Sequence, residues 1–140
     1  MYSCAITLAE LASAIESNEW EIHKRTVIHI DKKDFRHDCH EARAKVIAEV
    51  ASCWDQVMQV AKFIEMKIDE PTTQRLLDSI RCCRMDGYDA LMLDAMTKRG
   101  VFNIITDDGD FATVPDITVF TANAHVLHLA KREGRLKRRE

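Results

Sequence analysis

Apolar positions recur along this chain at two spacings, one that suits a helix face and one that suits a strand. From Thr7 to Ser17, Leu8, Leu11, Ala12 and Ile15 fall three and four apart, which predicts a helix with Thr7 as its N-cap and Glu10 three residues on. A polar stretch follows from Asn18 to Lys24. Thr26-Val27-Ile28-His29-Ile30 is then β-branched enough to predict a short strand. The most regular pattern runs from Glu41 to Phe63. Val46, Val50, Cys53, Val57, Val60 and Ile64 step by four and three, with Ile47, Trp54, Met58 and Ala61 beside them. That predicts a long helix whose apolar stripe is wide enough to serve core and dimer interface together. Ile64 to Ile68 is predicted to leave the helix as an extended piece.

Pro71 suits the first turn of the next helix, with Leu76, Leu77, Ile80 and Cys83 inward. Asp86 to Arg99 predicts another, with Leu91, Ala95 and Met96 inward and Gly100 just past its end, where left-handed backbone is needed. Val101 to Ile105 is an apolar run of strand length, ended by the charged turn Asp107-Asp108-Gly109-Asp110. Val114-Pro115-Asp116 is a turn, Ile117 to Phe120 a second strand, and Asn123 or Ala124 to Arg132 a last helix. This order of helix, strand, turn, strand, helix is the pattern of an α/β fold with a parallel sheet. Such sheets place their sites at the C-terminal ends of the strands.

Composition narrows the class. With 140 residues, 46% hydrophobic and 31% charged, the chain suits one folded domain over 1–140. Only 4 Gly and 2 Pro are present, and no linker or repeat interrupts it. No apolar run is long enough to cross a bilayer, and the opening MYSCAITLAELASAIE carries Glu10 and Glu16 in place of a basic leader. No membrane partner is expected. Five cysteines without paired spacings predict reduced thiols and a cytoplasmic setting. The last ten residues (131–140) form a basic tail with six Lys or Arg against two Glu, which leaves 14 basic and 21 acidic residues, a net −7, elsewhere. An acidic body with a basic tail excludes a surface coated in nucleic acid and permits a local phosphate contact.

The carboxylates of the C-terminal half are the informative chemistry. Asp89 opens a helix, and Asp108 lies just beyond the C-terminus of a strand, flanked by Asp107 and Asp110. A helix start and a strand end share one edge of an α/β sheet, so Asp89 and Asp108 are expected to converge. Converging carboxylates repel unless a cation compensates, and oxygen-only ligands select Mg²⁺ or Mn²⁺. Asp-Asp-Gly-Asp also suits a simple polar turn with Asx hydrogen bonding.

The segment GYDALMLDAMTKRGVFNIITDDGDFATVPDITVFTAN, from Gly87 to Asn123, resembles the C-terminal half of a PIN domain. The matching positions are Asp89, Gly100, Thr106, Asp108 and Asp110-Phe111. The opening SCAITLAELASAIE is similar to the family's Ser-x-x-Thr-x-x-Glu-Leu segment, which marks Glu10. The resemblance implies a PIN-like three-layer α/β/α fold around a central parallel sheet, and a metal-dependent endoribonuclease. It further implies that Glu10, Asp89 and Asp108 hold Mg²⁺ or Mn²⁺, with Asp110 as an outer or second-metal carboxylate and Thr106 orienting a carboxylate or water. Asp107 is expected to point away from Asp108. RNA, an antitoxin protein and a second copy of the chain are the partners implied, as for the toxin of a toxin–antitoxin pair. The chain departs from the family at its start. It opens at the Glu10 segment, beyond the strand that ends in the family's first Asp. That strand is therefore expected to be missing, and Ile28-His29-Ile30-Asp31 imitates it without the Asn. The alternative is a catalytically impaired remnant that binds RNA or protein.

Other residues carry weaker signals. His37-Asp38-Cys39-His40 invites zinc, yet no second pair has ligand spacing, and a polar loop is expected. His125 and His128 suit packing on the last helix. Lys24, Arg25, Lys32, Lys33 and Arg36, with Phe35 to stack a base, form either a loose basic patch or, as the more ordinary reading, a solvated loop. Trp20 and Trp54 are expected in core or interface, and Cys82-Cys83 in helix packing.

Overall fold

Helices make up most of the computed structural model, which describes residues 1–26 and 30–137. The chain divides into two compact units, Met1–Met66 and Lys67–Glu140. Each holds one two-stranded parallel sheet, so the protein is helix-rich α/β with short strands. Among the described residues, no helix is long and apolar enough to cross a membrane.

The first unit contains β1 (Tyr2–Cys4), α1 (Ala5–His23), α2 (Lys32–Asp38), α3 (His40–Val60) and β2 (Lys62–Ile64). β1 pairs with β2 in parallel, Cys4 opposite Ile64, and both of these side chains are buried. α1 exceeds the predicted Thr7–Ser17 at both ends. Its N-cap is Cys4, not Thr7, because the chain passes straight from strand into helix. It continues through the polar stretch because Glu16 and Trp20 are held from that side. Glu16 is buried and accepts Arg36 Nε at 2.7 Å, Arg36 Nη2 at 2.6 Å and Arg43 Nη1 at 3.0 Å. Trp20 Nε1 donates to the carbonyl of Ile30.

α2 replaces the expected loop. Asp31 caps it by accepting the N–H groups of Lys33 and Asp34, and Phe35 is fully buried, its ring 5.4 Å from that of His23. Seven residues with one apolar side chain leave no helical period to read. α3 stops at Val60 and Ala61 is already extended, so the strand falls at Lys62–Ile64 rather than after Ile64. The predicted strand at Thr26–Ile30 rests on Val27, Ile28 and His29, which lie outside the described residues.

The second unit contains α4 (Glu70–Cys82), α5 (Gly87–Lys98), β3 (Asn103–Ile105), β4 (Thr118–Phe120) and α6 (Ala124–Arg132). Pro71 does fall in the first turn of α4, which Asp69 caps. Its inward face differs from the predicted one: Leu77 and Ile80 are exposed, while Thr72 is buried with Leu76, Ser79 and Cys83 half-buried on the same side. A polar tie sets that rotation. Buried Asp94 of α5 takes Arg75 of α4 and Lys98, and Lys98 also reaches the Thr72 hydroxyl. Gly100 follows α5 with φ +64°, the left-handed geometry expected of it.

β3 and β4 run parallel, Ile104 opposite Val119 and Ile105 opposite Phe120. Period-two alternation sends Ile104 and Val119 against a core of Met85, Met96 and Phe111. Ile105 and Phe120 face the other way and are exposed. Asn123 caps α6, and Val126 is its buried residue.

Candidate metal centre

Two local devices position the acidic residues of the second unit. The first is the cap of α5: Asp86 Oδ1 accepts the N–H of Tyr88 at 2.8 Å and of Asp89 at 3.0 Å. Asp89 thereby sits in the first turn, where a negative charge suits the positive helix end. The second is the turn after β3. Thr106 N–H donates to the Phe120 carbonyl and carries the strand pairing one residue further. The Thr106 hydroxyl then accepts the Asp108 N–H at 3.1 Å, and Asp108 Oδ1 accepts the Asp110 N–H at 2.8 Å. A single 3₁₀ turn, Asp110–Thr113, follows, and its Phe111 is anchored in the core.

These devices bring Asp89, Asp108 and Asp110 together. Each offers a carboxylate oxygen, and the three oxygens all lie within 4.8 Å of one another. Asp89 and Asp110 are half-buried and Asp108 is exposed. Three carboxylates at such range repel, and the donor set is oxygen only, which fits a hard divalent cation. Among the described residues this is the one such group of three or more His, Cys, Asp or Glu.

Asp107 faces elsewhere. Its Oδ1 accepts the Thr121 hydroxyl at 2.7 Å and the N–H groups of Ala122 and Asn123, both at 3.1 Å. The Thr121 hydroxyl, with those two N–H groups, holds the Asp107 carboxyl below its ordinary range against a smaller opposing effect of burial. The Thr106 hydroxyl accepts the Asp108 N–H and keeps its own hydrogen to donate. Glu10 is exposed on α1 in the first unit, while the three-carboxylate group is built wholly within the second.

The remaining sequence signals resolve into local structure. Phe35 is fully buried and is not free to stack on a base. Arg36 is engaged with Glu16, Lys32 with Ser17, and Lys24 with Glu21 and the Trp20 ring. His37 and His40 are exposed, whereas Cys39 Sγ lies 3.3 Å from His23 Nε2. His125 and His128 are exposed on α6. Two further residues support the turn and the helix start around the cluster. Asp86, three before Asp89, stands in the spacing of an Asx cap, a signal that residue order does carry. Asn123 reads in sequence only as a helix start, and its bond to the Asp107 carbonyl depends on the tertiary fold.

Comparison of the chain with protein-family models, with curated proteins and with solved structures finds no match.

Proposed function

We propose that the chain is a PIN-like endoribonuclease, dependent on Mg²⁺ or Mn²⁺, with Asp89, Asp108 and Asp110 holding the cation. The finer α/β/α arrangement around a central sheet, and the role of Glu10 as a further site carboxylate, belong to the same proposal. The observation that carries it is the approach of three carboxylate oxygens to within 4.8 Å of one another, from a helix start and a strand-end turn. A hard cation bound there would neutralise charge on phosphoryl oxygens and make a water more acidic. The chain's own residues supply the placement. Asp86 fixes Asp89 through the helix cap, Thr106 fixes the backbone of Asp108, and Asp108 fixes that of Asp110. Asp108 is exposed, as contact with a polymer would require.

The second reading is a binding module that lacks catalysis. It is favoured by Ile105 and Phe120, side by side on β3 and β4 with 74% and 53% of their surface exposed. One experiment separates the two. The purified chain is incubated with single-stranded RNA and Mn²⁺, with Asp108→Asn and Glu10→Gln alongside. The nuclease reading expects cleavage that chelator abolishes and Asp108→Asn eliminates. A folded sample that leaves RNA intact overturns it and leaves the binding module.

A further inference from the structure

The first unit holds a nucleophile and a base that the proposed nuclease does not use. Cys39 Sγ lies 3.3 Å from His23 Nε2, and both residues are half-buried. The Phe35 ring, 5.4 Å from the imidazole, holds it in place.

The two residues also occupy opposite helix ends. Cys39 is the N-cap of α3, a helix of 21 residues. His23 is the last residue of α1, a helix of 19. The positive end of α3 therefore lies at Cys39 and the negative end of α1 at His23. Cys39 also closes the short helix α2, and Asp38 and Glu41 flank it, all of which oppose a negative charge. Arg43, one turn along α3, is committed to Glu16.

The other cysteines lack this combination. Cys4 caps α1 but is buried at 2% exposure. Cys53 lies within α3, away from its start. Cys82 is exposed yet ends α4, and Cys83 caps that same end, where the helix presents carbonyl oxygens.

The geometry points to Cys39 and His23 as a thiol–imidazole pair that makes Cys39 a site of covalent modification by low-molecular-weight disulfides and soft electrophiles. With a disulfide, Cys39 sulfur attacks one sulfur of the reagent, a new S–S bond forms and the old one breaks. His23 Nε2 takes the thiol proton as the new bond forms and passes it to the leaving thiolate. With iodoacetamide the S–C bond forms, the C–I bond breaks, iodide leaves, and the proton passes from His23 to water.

The test measures the rate of alkylation at each of the five cysteines of the native chain, using limiting iodoacetamide at neutral pH and peptide mass spectrometry. Cys39 is expected to react on the order of 10-fold faster than the more exposed Cys82. Incubation with glutathione disulfide is expected to add one glutathione to the Cys39 peptide first. His23→Gln is expected to bring the Cys39 rate to or below that of Cys82 while the Cys82 rate stays unchanged. The proposal is overturned if native Cys39 reacts no faster than Cys82, a comparison that needs no variant. It is also overturned if folded His23→Gln, judged by its helical circular dichroism, keeps the fast Cys39.

Discussion

Asp107 and Asn123 hold each other through both backbone and side chain. Asp107 Oδ1 accepts the Asn123 N–H at 3.1 Å, and Asn123 Nδ2 donates to the Asp107 carbonyl at 2.9 Å. This clamp fastens the turn after β3 to the start of α6. It gives two adjacent aspartates different roles, since Asp107 secures the turn from which Asp108 reaches Asp89 and Asp110.

The clamp makes stability depend on pH in a definite direction. An unfolded Asp titrates near ~3.9, and folded Asp107 titrates lower because the Thr121 hydroxyl, with the Ala122 and Asn123 N–H groups, favours its charged form. Its contribution is therefore present above the unfolded value and lost as pH falls through the folded one. Urea unfolding between about pH 5 and pH 2 should show stability declining with acid, and less steeply in Asp107→Asn. An equal slope in the variant contradicts the clamp.

Mutual repulsion among Asp89, Asp108 and Asp110 opposes their approach, and a bound cation should offset it. Asp108→Asn removes one of three mutually repelling charges, so its melting temperature without divalent metal should exceed that of the native chain. Mn²⁺ at about a hundred times its dissociation constant should stabilise the native chain by about 2.7 kcal/mol and leave Asp108→Asn nearly unmoved. Differential scanning fluorimetry with and without Mn²⁺ reads both effects. Equal shifts in the two proteins rule out Asp108 as a ligand.

Two buried carboxylates organise the packing of the helices around them. For Asp94, burial pushes the carboxyl up, and Arg75 and Lys98 together outweigh it. For Glu16, the hydrogen bonds from Arg36 are the largest effect and lower it, with burial opposing. Asp94→Ala and Glu16→Ala should each cost about 2 kcal/mol, since the abandoned cations keep partial access to water. Hydrogen exchange should place the loosening in α4 and α5 for Asp94→Ala and in α1 to α3 for Glu16→Ala. A loss below about 0.5 kcal/mol would show that the ties do not hold the helices.

Gly87 and Gly100 test backbone geometry apart from packing. A Cβ at either position would meet nothing within 4 Å, yet only Gly100 has a left-handed φ, +64°. Gly100→Ala should therefore cost about 1 kcal/mol, whereas Gly87→Ala should be neutral or slightly stabilising. Thermal melts of the two variants measure the contrast directly.

The long helix α3, the helix α5 with Gly100 behind it, strands β3 and β4, and the capped α6 are all legible from residue order. Their causes are local: apolar spacing, the cap at Asn123, and the need for glycine where φ turns positive. The approach of Asp89 to Asp108 is legible too, because a helix start and a strand end meet at one sheet edge.

What the tertiary structure alone decided were the features set by distant partners. α1 runs on to His23 because Glu16 meets Arg36 and Arg43 and Trp20 meets Ile30. α4 turns Thr72 inward, and not Leu77, because Arg75 reaches buried Asp94 nineteen residues further on. Cys39 acquires His23 as a neighbour, sixteen residues away in sequence. A periodic pattern reports which side chains prefer to leave water. It does not report which charge across the fold a buried carboxylate will find, and that pairing sets helix length and rotation.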